Sequence, residues 1–216
     1  MVTNNTAVEI TTVVLGPIEN NTYLVIDPAC REAVVIDPSF DIQPLVDQIK
    51  QRDLQVKFIL ITHAHFDHMA GVNPLLAGLP VRPRLALHPA DMDLWKDRGG
   101  ALQCGFQLDP LPDPDHLLLD GEILTVGSLE VVVHHTPGHS PGHVVFAIPQ
   151  ANVIFVGDVI FAGSIGRTDL PGGDLDELLG SIRNTILSCP DETRLLPGHG
   201  PETTVGFERL TNPFLT

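Results

Sequence analysis

Short apolar runs dominate the pattern of hydrophobic and polar positions along the chain. Segments rich in Val, Ile and Leu, bounded by Gly, Pro, Asn or Asp, recur at 8–15, 22–26, 32–36, 57–61, 84–87, 122–126, 129–134, 144–148, 153–156 and 194–196. Runs of this length and composition predict β-strands. Helical spacing fits three stretches. Ile42, Leu45, Val46 and Ile49 form an apolar stripe over 42–51, and a helical pattern also fits 91–104. The stretch 174–187 opens on acidic residues and carries Leu175, Leu178, Leu179, Ile182 and Ile186 at helical intervals. Strands come first as a meander, then alternate with helices, and the order runs twice. That order predicts two sheets packed together with helices outside, as one α/β domain over 1–216.

Composition narrows the function classes. A chain of 216 residues buries roughly 70% of its unfolded surface, so its core needs no disulfides. The charge balance is 27 Asp+Glu against 12 Lys+Arg, a formal net charge of −15, with no run of three basic residues. Nucleic acid and anionic membrane surfaces recruit the opposite pattern, so neither is expected as a partner. Cys30, Cys104 and Cys189 show no CxxC spacing, which argues against a disulfide framework or zinc knuckle and fits a reducing compartment. The segment MVTNNTAVEITT lacks the basic and apolar regions of a signal peptide, so a cytoplasmic location is the expectation.

The 10 histidines carry the chemistry. Thr62-His63-Ala64-His65-Phe66-Asp67-His68 follows directly on the apolar run Phe58-Ile59-Leu60-Ile61. Imidazole nitrogens with a hard carboxylate oxygen suit zinc or iron. His63 and His65, two apart in extended backbone, point to one side. Asp67 and His68 serve a second position, so this one stretch offers half-sites for two metals. Three more packages repeat the plan of an apolar strand, a small-residue turn and a ligand. They are Thr136-Pro137-Gly138-His139, Gly157-Asp158 and Pro197-Gly198-His199. Beyond the carboxyl ends of neighbouring strands, the four packages converge on one edge.

In this order and at these intervals, THAHFDH, TPGHSPGH, GD and LPGH resemble the metallo-β-lactamase superfamily along nearly the whole chain. The resemblance implies an αββα sandwich, two mixed sheets face to face with helices outside. It implies His63, His65 and His139 as ligands of a first divalent ion, and Asp67, His68 and His199 as ligands of a second. Asp158 matches the carboxylate bridging both. Asp37 matches an aspartate supporting the ligand loop, and His143 is expected to be structural. Zinc is the expected metal, with iron or manganese as alternatives.

The stretch Gly163-Ser164-Ile165-Gly166-Arg167-Thr168-Asp169-Leu170-Pro171-Gly172-Gly173-Asp174 is similar to the compact bacterial branch of the glyoxalase II (hydroxyacylglutathione hydrolase) family. That similarity implies a thioesterase acting on hydroxyacyl thiols such as lactoylglutathione, through a hydroxide bridging the two ions. Asp158 would hold the ions together, Asp67 would also orient the hydroxide, and Arg167 would either bind a substrate carboxylate or pair with Asp169. The chain departs from glyoxalase II in two respects. Asp169 stands where a glutathione-holding tyrosine is expected, and only 17 residues follow His199, room for one short helix rather than a glutathione-clamping extension. Rival readings on the same fold are an iron-dependent persulfide dioxygenase, a lactone or ester hydrolase, and a metal-binding scaffold without catalysis. A β-lactamase is disfavoured by the missing export signal, and a nuclease by the missing basic additions.

Overall fold

The computed structural model describes residues 8–215. A first six-stranded sheet is built mainly from the N-terminal half, with strand order β1-β2-β3-β4-β5-β6. Its strands are β1 (Glu9–Leu15), β2 (Asn20–Asp27), β3 (Glu32–Ile36), β4 (Gln55–Leu60), β5 (Arg84–Leu87) and β6 (His116–Leu117). The pairs β1/β2 and β2/β3 are antiparallel, and the remaining three are parallel. Helices α1 (Gln43–Gln51), α2 (Phe66–Met69), α3 (Val72–Gly78) and α4 (Met92–Lys96) belong to this half. A second six-stranded sheet has the order β14-β13-β10-β9-β8-β7. It comprises β7 (Ile123–Val126), β8 (Leu129–His135), β9 (Val144–Ile148), β10 (Val153–Gly157), β13 (Arg194–Pro197) and β14 (Thr203–Thr204). Between β10 and β13 come a small hairpin, β11 (Ile160–Phe161) and β12 (Ser164–Ile165), and helix α5 (Leu175–Ser181). Helix α6 (Val205–Thr211) follows the last strand.

Alternation along the strands assigns the layers. Tyr23 and Val25 of β2 face the second sheet, where they meet Val131, Val133, Phe146 and Phe155. Leu24 and Ile26 of the same strand face outward, under Leu45, Val46 and Ile49 of α1 and Leu75 of α3. On the far side, Val145, Ile154 and Leu195 lie under Leu178 of α5 and Ile182 and Ile186 beyond it. Each sheet is therefore buried on both faces, which is why its central strands read as continuous apolar runs. This is the expected αββα sandwich. Among the described residues, no helix is long and apolar enough to cross a membrane.

The expected helix over 91–104 is corrected. A single α-helical piece, α4, stands there between short 3₁₀ turns. Arg98, Gly99 and Gly100 have φ of 58°, 64° and 71°, outside the helical region. At Gly99 a side chain would also collide with Phe66 N and Ala64 O, so glycine lets this segment lie against the His63–His65 loop. The helix predicted over 174–187 is present, capped by Asp174 accepting from Glu177 N at 2.9 Å, but passes into a π-helical turn over Ile182–Ile186. Helices α2, α3 and α6 and the two-residue strands were too short to show a period.

His88, just after β5, stacks on His135 of β8 with ring centroids 4.1 Å apart. Burial, then the neighbouring His135, lowers His88 to about 4 from 6.5. The folded value lies below the unfolded one, so His88 contributes stability above pH 6.5 that is lost as pH falls through 6.5 towards 4. Replacing His88 by Gln is expected to flatten the pH dependence of unfolding across this window, measured by urea titrations at its two ends.

Candidate metal centre

Four strand ends meet at one edge of the sandwich. The chain leaves β4 into Thr62–His68, β8 into His139, β10 into Asp158 and β13 into His199, as the spacing predicts. His63, His65 and His139 form one cluster, and Asp67, His68 and His199 another, with all ligand atoms of each within 4.8 Å of one another. In the first, His139 Nε2 lies 2.9 Å from His65 Nδ1 and 3.2 Å from His63 Nε2. In the second, Asp67 Oδ2 lies 3.0 Å from His199 Nε2 and 3.4 Å from His68 Nε2. Asp158 stands between them. Its Oδ1 is 3.4 Å from His68 Nε2, and its Oδ2 is 3.7 Å from His139 Nε2 and 3.8 Å from His199 Nε2.

Two atoms test whether this set fits metal ions. Among the described residues, His68 Nε2 and Asp158 Oδ1 are buried with no hydrogen-bond partner, an arrangement that burial penalises heavily. They face each other in the middle of a set of imidazoles and carboxylates. A divalent cation satisfies both, and the donors match what such ions take from proteins. Residues 15–199 match the family model of the metallo-beta-lactamase superfamily.

The chain belongs to this superfamily. It is similar to the hydroxyacylglutathione hydrolase GloC of Haemophilus influenzae, with 37% identity over 191 residues, covering 86% of this chain and 88% of that protein. Among solved structures it is similar to the BLEG-1 B3 metallo-beta-lactamase, with 40% identity and a TM-score of 0.90 over 96% of this chain and 100% of the other. It is also similar to TTHA1623 in a di-iron-bound form, with 42% identity and a TM-score of 0.86 over 95% and 100% of the two chains.

In this superfamily member, most imidazoles of the two clusters are held by their second nitrogen, which fixes ring orientation. His68 Nδ1 donates to Asp37 Oδ2 at 2.9 Å, and His63 Nδ1 to Thr62 Oγ1 at 3.1 Å. His139 Nδ1 donates to Arg167 O at 2.7 Å, and His199 Nδ1 to Ile18 O at 3.1 Å. Asp37, with its side chain almost wholly buried, also accepts from Thr62 N and Thr62 Oγ1, both at 2.7 Å. The structure thus places Asp37 beneath the ligand loop. His143 Nε2 accepts from Asp158 N at 3.1 Å while its Nδ1 donates to Thr136 Oγ1 at 3.1 Å, so His143 sets the backbone of Asp158. Gly157 (φ 47°) admits this packing, because a Cβ there would lie 2.6 Å from Thr62 Oγ1 and 2.7 Å from His143 Nε2.

The electrostatics divide the cluster. Burial, reinforced by the neighbouring imidazoles, pushes His63 well below 6.5 and His65 to about 3, so both stand neutral and ready to coordinate. Burial acts the same way on His68, but Asp67, Asp158 and Asp37 outweigh it and raise this histidine well above 6.5. Burial would raise Asp158, yet His68, His139 and His199 hold it well below the carboxylate range.

Arg167 has its side chain at the surface, where Nε and Nη2 donate to Asp169 at 2.7 and 2.8 Å. Of its two expected partners the structure shows Asp169, while its backbone carbonyl serves His139. The sequence reading missed the grip on the last ligand loop. Asn21 Nδ2 donates to Pro197 O at 2.9 Å and Gly200 O at 2.8 Å, and Tyr23 OH donates to Pro197 O at 2.6 Å. The available signal was a polar Asn20-Asn21-Thr22 start to an otherwise apolar strand. His88, His116, His134 and His135 take no part in these clusters.

Proposed function

We propose that this chain is a binuclear metal-dependent thioesterase acting on hydroxyacyl thiols such as lactoylglutathione. The observation that carries the reading is the pairing of two complete ligand clusters across one carboxylate, Asp158. Similarity to a hydroxyacylglutathione hydrolase supports the substrate class. The donors suit zinc, and iron or manganese take the same set. When bound, two such ions polarise the thioester carbonyl and lower the pKa of water towards about 7.

The protein's own residues supply the rest. Asp158 keeps the two clusters in register. Asp67 points Oδ2 at His199 and accepts a hydrogen bond from the attacking water, orienting it. A thiolate, with a thiol pKa of about 8.5, departs without a dedicated acid, and no side chain is needed in that role. Arg167 binds a substrate carboxylate in place of Asp169. Both partners of that pair are exposed, so water already weakens it and exchange is easy. The partner is a small-molecule thioester, not nucleic acid or membrane, and the compartment is the cytoplasm, a reading supported by three cysteines without a disulfide.

Metal-loaded protein is expected to release thiol from lactoylglutathione far above the rate of chelator-treated protein. Thiol release equal in the two samples overturns the assignment. Oxygen uptake with glutathione persulfide, or turnover confined to lactones, esters or a cephalosporin, would replace it with the corresponding rival.

A further inference from the structure

Asp91 ends the 3₁₀ turn after β5, far in sequence from every proposed ligand, and is 0% exposed. Its carboxylate joins two ligand loops. Oδ2 accepts from Ala64 N at 2.9 Å and from Ser140 Oγ at 2.8 Å, while Oδ1 accepts from Gly142 N at 2.6 Å. Ala64 sits between His63 and His65, and Ser140 directly follows His139. All three histidines of the first cluster are therefore adjacent in sequence to a donor that Asp91 holds. Gly142 packs so closely that a Cβ there would lie 2.5 Å from Asp91 N and 2.7 Å from Asp91 Cγ. No residue of the second cluster hydrogen-bonds to Asp91. That cluster has Asp37, bonded to His68 and Thr62.

We infer that Asp91 is the positioning residue of the first metal half-site, as Asp37 is of the second. Asp91 touches only the loops of the first half-site, so its substitution separates the occupancy of the two. The inference rests on reading the site as binuclear but not on the identity of the substrate. A buried carboxylate that accepts three hydrogen bonds confines the backbone on either side, and imidazole nitrogens about 3 Å apart surround an ion only if their loops stay in register. Neutral nitrogen ligands offer no net charge to hold an ion in a poorer geometry.

The test is metal binding by D91N beside wild type and D37N. Asn keeps the volume of Asp91, but either orientation of its amide turns an NH₂ towards a group that now donates. Wild type is expected to take up two equivalents. D91N is expected to keep one ion at wild-type affinity and to bind the other about 10–100-fold more weakly, the usual effect of losing an outer-shell partner. With one equivalent bound to D91N, imidazole NMR signals of His68 and His199 should move while those of His63, His65 and His139 stay at their metal-free positions. D37N should weaken the second ion more than the first, because Asp37 bonds His68 directly and reaches His63 only through Thr62. Ser140→Ala, which removes one of the three hydrogen bonds, should weaken the first ion by a smaller factor and serves if D91N fails to fold. Two equivalents at wild-type affinity in D91N and in Ser140→Ala, or equal weakening of both ions in either, overturns the inference. Uptake of a single equivalent by wild type overturns the binuclear reading together with it.

Discussion

Replacing Asp158 by Ala is expected to reduce bound metal from two equivalents to one or none, and to lower thioester turnover at least 100-fold. Loss of an outer-shell partner typically weakens a metal site about 10–100-fold, and Asp158 faces both clusters directly. Its oxygens lie 3.4 Å from His68 Nε2 and 3.7 Å from His139 Nε2. Without it, two cations would share a buried pocket with the charge of Asp67 as the nearest compensation. Burial of that kind is costly unless paired. Asp158→Asn keeps the shape and removes the charge, so it separates packing from electrostatics. Metal analysis alongside the thiol-release assay decides the matter. Two equivalents retained in the Ala variant would remove Asp158 from the bridging role.

Replacing Asp37 by Ala is expected to destabilise the metal-free protein by about 3 kcal/mol or more, as removal of one partner from a buried ion pair does. The His68 and Asp37 side chains are 0% and 2% exposed, so His68 would lose one of the three carboxylates that hold it charged in the interior. Thr62 would lose the acceptor for both its N–H and its hydroxyl. The sign of the pH dependence follows from His68. Burial lowers it, but three carboxylates outweigh that and place its folded value well above the unfolded 6.5. Its stabilisation is fully present below pH 6.5 and is lost as pH rises through the raised folded value. The penalty of Asp37→Ala should therefore be greatest near pH 6 and shrink above that value, leaving the part due to Thr62. Urea unfolding of chelator-treated protein across this range measures it. A penalty independent of pH would show that His68 is not held charged by Asp37.

The apolar runs located all of the longer strands because a sheet covered on both faces selects Val, Ile and Leu at consecutive positions. The convergence of the four histidine and aspartate packages was legible for a related reason. Each follows a strand immediately, so strand ends fix where His63, His139, Asp158 and His199 emerge. The segment 91–104 failed because Gly99 is set by contact with Phe66 and Ala64, which local spacing does not encode. Pairs such as Asn21 with Pro197, or Asp91 with Gly142, were equally hidden. They join residues 176 and 51 positions apart, and either partner alone reads as a turn or cap residue.

The sequence alone determined the donor types, their order along the chain and the strands that carry them. The tertiary structure decided how the donors divide. It set Asp158 between two clusters, buried His68 Nε2 and Asp158 Oδ1 without partners among the described residues, put Asp37 under Thr62 and His68, and put Asp91 between Ala64 and the Ser140–Gly142 turn. Ligand identity is a property of side chains and survives in one dimension. The distances between their atoms, and the burial that gives each charge its strength, exist only after the two sheets have packed.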